Sequence, residues 1–481
     1  MRILMLGWEF PPFIAGGLGV ACYGLTKALD RLGHSVLFVL PKPVDRIEAS
    51  HVTMLAPQAA AANVVADGKG LIAVDSNGRQ VFDPDGKPVY AFRHASFKGV
   101  PAGFSNPYSY APVGDSGVVT PVAPGAVGAS RVLVDPAQRE QLPELPPQAA
   151  AVMPPPSGAL GRGAGAGYDG LDLIQETERY ARLVASITRG ESFDVIHAHD
   201  WLTYPAGLAM RAISGKPLVV HVHSTEFDRS GADVNKRVYD IERMGMHGAD
   251  RVLAVSQLTK NVCVRRYGVA PAKVDVVYNG VERESQQPKE GEKIAGGDKI
   301  VLFLGRITMQ KGPEYFIQAA KRVLEKMDNV KFVLAGSGDM ALRMIEMAAA
   351  MGIGHKVLFT GFLRGRDVER VFKMADCYVM PSVSEPFGIS ALEAISHDVP
   401  VILSKTSGAG EVLTHVLKVD FWDIDEMANK IVAVLKHPPL SVTLRQHGNI
   451  ELHRLTWEVA AERCVASYAK AVGEEPVAAK A

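Results

Sequence analysis

Two carboxylates, two cations and a histidine are the residues of this chain whose types and spacing could do chemistry. Glu385 and Glu393 stand eight positions apart in Ser384-Glu385-Pro386-Phe387-Gly388-Ile389-Ser390-Ala391-Leu392-Glu393. The apolar run Cys377-Tyr378-Val379-Met380-Pro381 before them reads as a buried strand, and Ile389 to Ile395 reads as the first turns of a helix. Pro386 and Gly388 break the chain between the two. Strand, glycine loop and helix start aim free backbone N–H groups, here those of Gly388 and Ile389, at an anion. A carboxylate accepts hydrogen bonds from hydroxyls. One acid on each side of a phosphate-binding loop therefore fits a ligand with hydroxyls at both ends of a diphosphate, as in a nucleoside-diphosphate sugar. Either glutamate alone would be read as a cap or a solvated helix residue; the joint pattern carries the weight.

The cations follow another apolar run, Ile300 to Leu304, in Gly305-Arg306-Ile307-Thr308-Met309-Gln310-Lys311-Gly312. Arg306 and Lys311 just past a strand end can neutralise a diphosphate. Breaking a sugar–diphosphate bond builds negative charge on the leaving oxygen, and fixed donors there stabilise the transition state. No Asp-x-Asp pair stands beside these motifs, so the cations are expected to do what a divalent ion does elsewhere, with no metal and no cofactor. The histidine closes the strand Phe193-Asp194-Val195-Ile196-His197-Ala198-His199-Asp200-Trp201. Alternation turns His197 and His199 to the same side. Two histidines and an aspartate could ligate zinc, but their spacing matches no standard site. A further strand, Leu218 to His223, runs into Ser224-Thr225-Glu226-Phe227-Asp228. This polar, aromatic end suits a carbohydrate acceptor, with His223 and Glu226 as acceptor-side candidates.

The elements that must position these residues form two successive αβ series. The first opens with Ile3 to Leu6, a long loop ending in Gly16-Gly17-Leu18-Gly19, a helix from Val20 to Gly33, and the strand Val36 to Leu40. That βαβ unit implies a parallel sheet. Gly17-x-Gly19-x-x-Cys22 falls short of the dinucleotide fingerprint, because the loop is long and Leu40-Pro41 stands where a ribose-binding acid belongs. Gly16 and Gly17 are better read as letting backbone approach a phosphate, which ranks an NAD oxidoreductase last among the alternatives. Turn signals from Val64 to Phe92 predict one or two hairpins. Pro, Ala and Gly dominate from about Ala111 to Gly167, which reads as an aperiodic insertion or lid. In the second series, Ser407 to Glu411 reads as a helix start, and Trp457 to Tyr468 as a long amphipathic helix.

The Glu385/Glu393 string resembles the E-x7-E motif of retaining glycosyltransferases, particularly family 4. Gly305 to Gly312 is similar to the phosphate clamp of the same family. The stretch Trp8-Glu9-Phe10-Pro11-Pro12 through Gly19 is similar to the opening of glycogen and starch synthase-like catalytic domains, although Ile14 stands where family 5 synthases carry Lys. The resemblance implies an α/β protein of GT-B type, with two Rossmann-like domains facing across a deep cleft and a C-terminal helix crossing back. The expected boundaries are residues 1–281 for the acceptor-side domain, with an insertion at about 43–167, then a linker at 282–298. A nucleotide-sugar-binding domain at 299–455 and a returning helix at 456–475 complete the layout. The resemblance also places His199 beside the reacting sugar and Leu363 near the nucleobase, assigns Phe387 to the donor loop, and implies retention of configuration.

Composition agrees with a soluble enzyme. Fifty-two basic residues balance 52 acidic ones, so electrostatics give no reason to expect nucleic acid or an anionic membrane as partner. Cys22, Cys263, Cys377 and Cys464 are scattered without a C-x-x-C pair, which fits a reduced, cytoplasmic protein. No run reaches ~18 uninterrupted apolar residues, so integral membrane association is not expected. The expected function is transfer of a hexosyl group from ADP-glucose or UDP-glucose to an oligo- or polysaccharide, an α-glucan by preference. The alternatives are a family 4 transferase with another acceptor, a sugar-nucleotide epimerase or phosphorylase, and a non-catalytic carbohydrate-binding protein.

Overall fold

The computed structural model describes residues 1–10, 16–42, 63–67, 70–74, 95–101, 145–153, 170–282 and 297–473. The first sheet contains β1 (Arg2–Leu6), β2 (Ser35–Lys42), β5 (Ala95–Pro101), β6 (Val195–His199), β7 (Leu218–Val222), β8 (Arg251–Ala254) and β9 (Val274–Val276), in the order β5-β2-β1-β6-β7-β8-β9. The second contains β10 (Lys299–Leu304), β11 (Val330–Ala335), β12 (Val357–Gly361), β13 (Cys377–Met380), β14 (Val401–Ser404) and β15 (Leu417–Val419), in the order β12-β11-β10-β13-β14-β15. Every pairing within these two sheets is parallel. Strands covered on both faces must be apolar throughout, and β1 obeys: Ile3, Leu4, Met5 and Leu6 are fully buried.

Strand order reverses between β1 and β6 in one sheet and between β10 and β13 in the other. Such a reversal leaves a crevice outside the carboxyl ends of the strands, because the flanking connections depart to opposite faces. The chemistry-bearing residues fall there. Gly16 and Gly17 end the connection after β1, and Asp200 follows β6. Arg306 and Lys311 follow β10, and Glu385 to Gly388 follow β13.

A helix over Trp457–Val472 returns from the second lobe to the first. Thr456 caps it, its side chain accepting from the Val459 N–H. Its inner face, Trp457, Ala460, Ala461, Cys464 and Tyr468, is buried with Ile3, Met5, Phe38 and Val195 of the first sheet. Two glycines make room. A Cβ at Gly24 would stand 2.2 Å from the Trp457 ring, and one at Gly280 would stand 2.3 Å from the Thr456 carbonyl carbon.

The structure corrects several local expectations. The first helix starts at Gly17, not Val20. A hairpin joins β3 (Asn63–Asp67) to β4 (Gly70–Val74), while residues 75–94, where a second is expected, lie outside the described residues. The sequence gives no sign of β5, which pairs with β2 along its length. Most of the Pro/Ala/Gly-rich segment lies outside the described residues. Its part from 145 to 153 is not aperiodic: Pro147–Ala150 forms a helical turn with Ala149 buried, and Val152 and Met153 pack on the core. The predicted helix at Ser407–Glu411 is one 3-10 turn, Gly408–Glu411, before the chain enters β15. Of the linker, residues 283–296 lie outside the described residues.

Candidate active site

Lys311 and Glu385 form the charged centre of the second lobe. The Lys311 ammonium donates to Glu385 Oε2 at 2.6 Å, and the Ser382 hydroxyl donates to the same oxygen at 3.0 Å. Glu385 is 5% exposed. A carboxylate so enclosed needs this pairing, since an unpaired buried charge is costly. Its loop is fixed from behind. The Glu385 N–H donates to the Thr406 carbonyl, the Gly408 N–H to the Glu385 carbonyl, and the Ala409 N–H to the Phe387 carbonyl.

Gly388 then turns the chain into the helix Ile389–Ser396. Its φ of +103° favours glycine, and a Cβ there would lie 2.7 Å from Met380 Cε, at the flexible end of that side chain. Among the described residues the N–H groups of Gly388 and Ile389 have no backbone partner, as expected at a helix start. Glu393 lies one turn on, half-buried. Tyr378 sits near both acids: burial raises its phenol pKa, and the Glu385 and Glu393 charges add to that. Arg306 is half-buried two positions past β10, its carbonyl accepting from the Thr308 N–H. Leu363 packs against the second lobe's core. Phe387 departs from the expected ligand role. Its ring is 2% exposed and lies 6.0 Å from Tyr278 of the first lobe, so only its backbone can serve a ligand.

The first lobe presents four imidazoles. His197 and His199 project from one strand with ring centroids 4.2 Å apart, and His221 and His223 from the next with centroids 4.3 Å apart. His199 Nδ1 and His223 Nε2 are hydrogen-bonded at 2.9 Å, and His197 Nδ1 bonds the Tyr468 hydroxyl at 2.7 Å. Burial lowers the pKa of all four, and for His197, His199 and His221 neighbouring imidazoles lower it further; His223 falls to about 3. The cluster is neutral at physiological pH. One nitrogen each from His197, His199 and His221 lies within 4.8 Å of the others. His221 stacks on both of the other rings, while His197 and His199 are tilted by 33°.

Asp200 organises this end of the sheet. It holds a positive φ of 58°, and its Oδ1 accepts from the N–H groups of His223 at 2.7 Å and Ser224 at 3.3 Å. Burial raises its pKa to about 7 against the pull of these bonds and Arg229. Glu226 does not stand free for an acceptor. Oε1 accepts from Ser230 and the Asn235 N–H, and Oε2 pairs with Arg229 at 3.0 Å, so the carboxylate is occupied inside the lobe. At Gly16 and Gly17, by contrast, no described atom lies within 4 Å of the place a Cβ would take.

The lobes meet beside Glu385. The Ser384 hydroxyl donates to Asp228 Oδ1 at 2.6 Å, and the Glu411 carboxylate accepts from the N–H groups of Gln257 and Leu258 at 2.8 and 2.6 Å. Sequence reasoning missed these contacts and the Tyr468–His197 bond. They join residues 150 or more positions apart, and no local spacing announces them.

Two Rossmann-like lobes, a crevice between their switch points and a helix that crosses back define the GT-B fold. Family profiles match along the chain: starch synthase catalytic domain over residues 2–115, Glycosyltransferase Family 4 over 150–285, and glycosyl transferases group 1 over 284–449. The match to glycosyl transferases group 1 covers the second lobe, and the other two profiles cover parts of the first. It is 36% identical over 238 residues to an uncharacterized glycosyltransferase of Methanocaldococcus jannaschii, a match covering 47% of this chain and 61% of that one. It is 28% identical to the glycogen synthase of Mycobacterium tuberculosis over 46% of this chain and 54% of that one, so the match spans little more than half of that relative. The Anabaena protein HepE, solved with UDP-glucose, superposes with a TM-score of 0.62 at 15% identity, over 98% of this chain and all of HepE. Among the described residues, no helix is long and apolar enough to cross a membrane.

Proposed function

We propose that this protein is a retaining, metal-independent glycosyltransferase that moves a glucosyl group from ADP-glucose or UDP-glucose to an α-glucan. The observation that carries the reading is the Lys311–Glu385 pair at the mouth of a glycine-capped helix, beside the line where the lobes meet. Arg306, Lys311 and the N–H groups of Gly388 and Ile389 hold the diphosphate and take up charge as it leaves. Glu385 accepts from the sugar hydroxyls and supports the cationic ring, and Glu393 accepts from the ribose. His199 meets the sugar near its reacting face. Gly16 and Gly17 approach from the first lobe, which binds the acceptor, while residues 299–455 bind the donor. Displacement proceeds on one face, so configuration is retained, as the family resemblance implies.

The relatives support this reading through what they are: one is a glycogen synthase and one structure contains UDP-glucose. All four cysteines are free and buried, which supports a reducing, cytoplasmic setting. The test is a donor panel with EDTA present, scoring nucleotide release with and without maltooligosaccharide. Release from ADP- or UDP-glucose that rises with maltooligosaccharide is expected. Release that needs a divalent ion, or a sugar acceptor other than a glucan, would overturn those parts of the assignment.

A further inference from the structure

We propose that His223 by direct contact, and Tyr468 one ring further back, are positioning residues for His199. The proposal rests on the reading of His199 as the histidine that meets the donor sugar. His199 has two ring nitrogens. Nδ1 is engaged by His223 Nε2 at 2.9 Å, while Nε2 is buried and has no partner among the described residues. Nε2 is thus the nitrogen left for a ligand. A neutral imidazole carries one proton that can sit on either nitrogen, and the hydrogen bond made by one nitrogen decides what the other presents. The His223 contact therefore ties the tautomer of His199 to that of His223 and stops its ring from turning.

The other side of the ring is held too. His197 lies against His199 at 4.2 Å between centroids, and its Nδ1 is fixed by the Tyr468 hydroxyl at 2.7 Å. Tyr468 is fully buried on the helix that returns from the second lobe. The helix Trp457–Val472 thus reaches His199 through a single intervening ring. On the His223 side the anchor is Asp200, whose carboxylate grips the His223 and Ser224 N–H groups. His223 is accordingly assigned to orienting His199 and not to gripping the acceptor.

The experiment uses the full chain with His223→Gln, His223→Leu and Tyr468→Phe. Glutamine can keep an amide at the reach of Nε2; leucine cannot. Long-range nitrogen–proton NMR on histidine-labelled protein reads the His199 tautomer, with His199→Gln identifying the signal. Wild type and His223→Gln are expected to show one tautomer and His223→Leu a mixture. The kcat for nucleotide release is expected to fall roughly 10–100-fold in His223→Leu, the range known for hydrogen-bond partners that orient metal-ligating histidines. The donor KM should stay within about 2-fold, and His223→Gln should recover most of the rate. Tyr468→Phe should lower kcat by less, at unchanged KM. If His223→Leu does not fold, His223→Asn, whose amide stops short of His199, takes its place. A folded His223→Leu or His223→Asn protein with a single His199 tautomer and wild-type kcat overturns the proposal. If His199→Gln itself turns over normally while the tautomer responds to His223, the sugar-contact reading fails and the positioning stands.

Discussion

The two lobes bring different side-chain chemistry to the strand ends that meet. The second lobe brings Lys311, Glu385 and Arg306 to its strand ends and pairs its buried carboxylate with a lysine. The first brings four stacked imidazoles that burial keeps neutral. Under the proposed function, the division matches what each side would hold. A departing diphosphate carries charge and calls for fixed cations and N–H groups. A reacting sugar carries hydroxyls and a transient cation, and a protonated histidine there would repel it.

The sharpest way to break that contrast is to remove charge from the second lobe. Glu385→Gln is expected to lower kcat by about 10²–10³-fold, the loss typical for one electrostatic catalytic group. It should cost little stability, because Lys311 is partly exposed and can turn to water. Lys311→Ala should cost more, about 1–3 kcal/mol in urea unfolding, since it strands a carboxylate that is almost fully enclosed. Equal stability losses in the two variants would contradict the burial argument.

The first lobe is tested by acid. Its four clustered histidines have folded pKa values below the unfolded value near 6.5, so between those limits the unfolded chain binds more protons and stability rises with pH. Their contribution is complete above about pH 6.5 and is lost as pH falls toward about 3, the value for His223. Asp200 and Glu242 act in the reverse sense, because their folded pKa values are raised, that of Asp200 to about 7. His34 joins the imidazole side and Glu178 the carboxyl side, and five groups against three leave a net loss. Thermal melts should therefore fall steadily from pH 7 to pH 5, and replacing His221 with Phe should flatten the slope. A melting temperature unchanged over that range would mean the imidazoles are not held neutral.

Smaller effects sharpen how the lobes are joined. Gly280→Ala drives a methyl into the backbone at Thr456 and Trp457, so it should destabilise by about 1–3 kcal/mol, as overpacking does. Hydrogen exchange should then rise along Trp457–Val472 before it rises in β10. Glu411→Gln weakens an exposed bond between the lobes and should move stability by under about 1 kcal/mol. Its mark should be a change of a few-fold in donor KM. A large stability loss would show that the lobes do not move independently.

Much of this contrast is legible in the sequence, and the physical reason is locality. Glu385, Gly388 and Glu393 lie within one strand–loop–helix, so their mutual placement follows from the chain's own periodicity. Arg306 and Lys311 follow a strand whose apolar run is unmistakable. His199 is legible as a strand-end residue, but its partners are not. His223 reaches it from the next strand, and Tyr468 stands 271 positions from His197. Glu226 misleads because a polar residue after a strand reads as available, whereas a capping turn and Arg229 draw it inward. The 3-10 turn at Gly408–Glu411 misleads because glycine and acid together mimic a helix start.

The central claim is that a sugar diphosphate is gripped between the lobes by cations and amides. A crystal structure with UDP-glucose or ADP-glucose soaked in under EDTA tests it most directly. The account predicts the diphosphate within hydrogen-bonding distance of Lys311, Arg306 and the Gly388 and Ile389 N–H groups, with the sugar between Glu385 and His199. A donor seated outside this crevice, or one whose phosphates touch none of these groups, would contradict it.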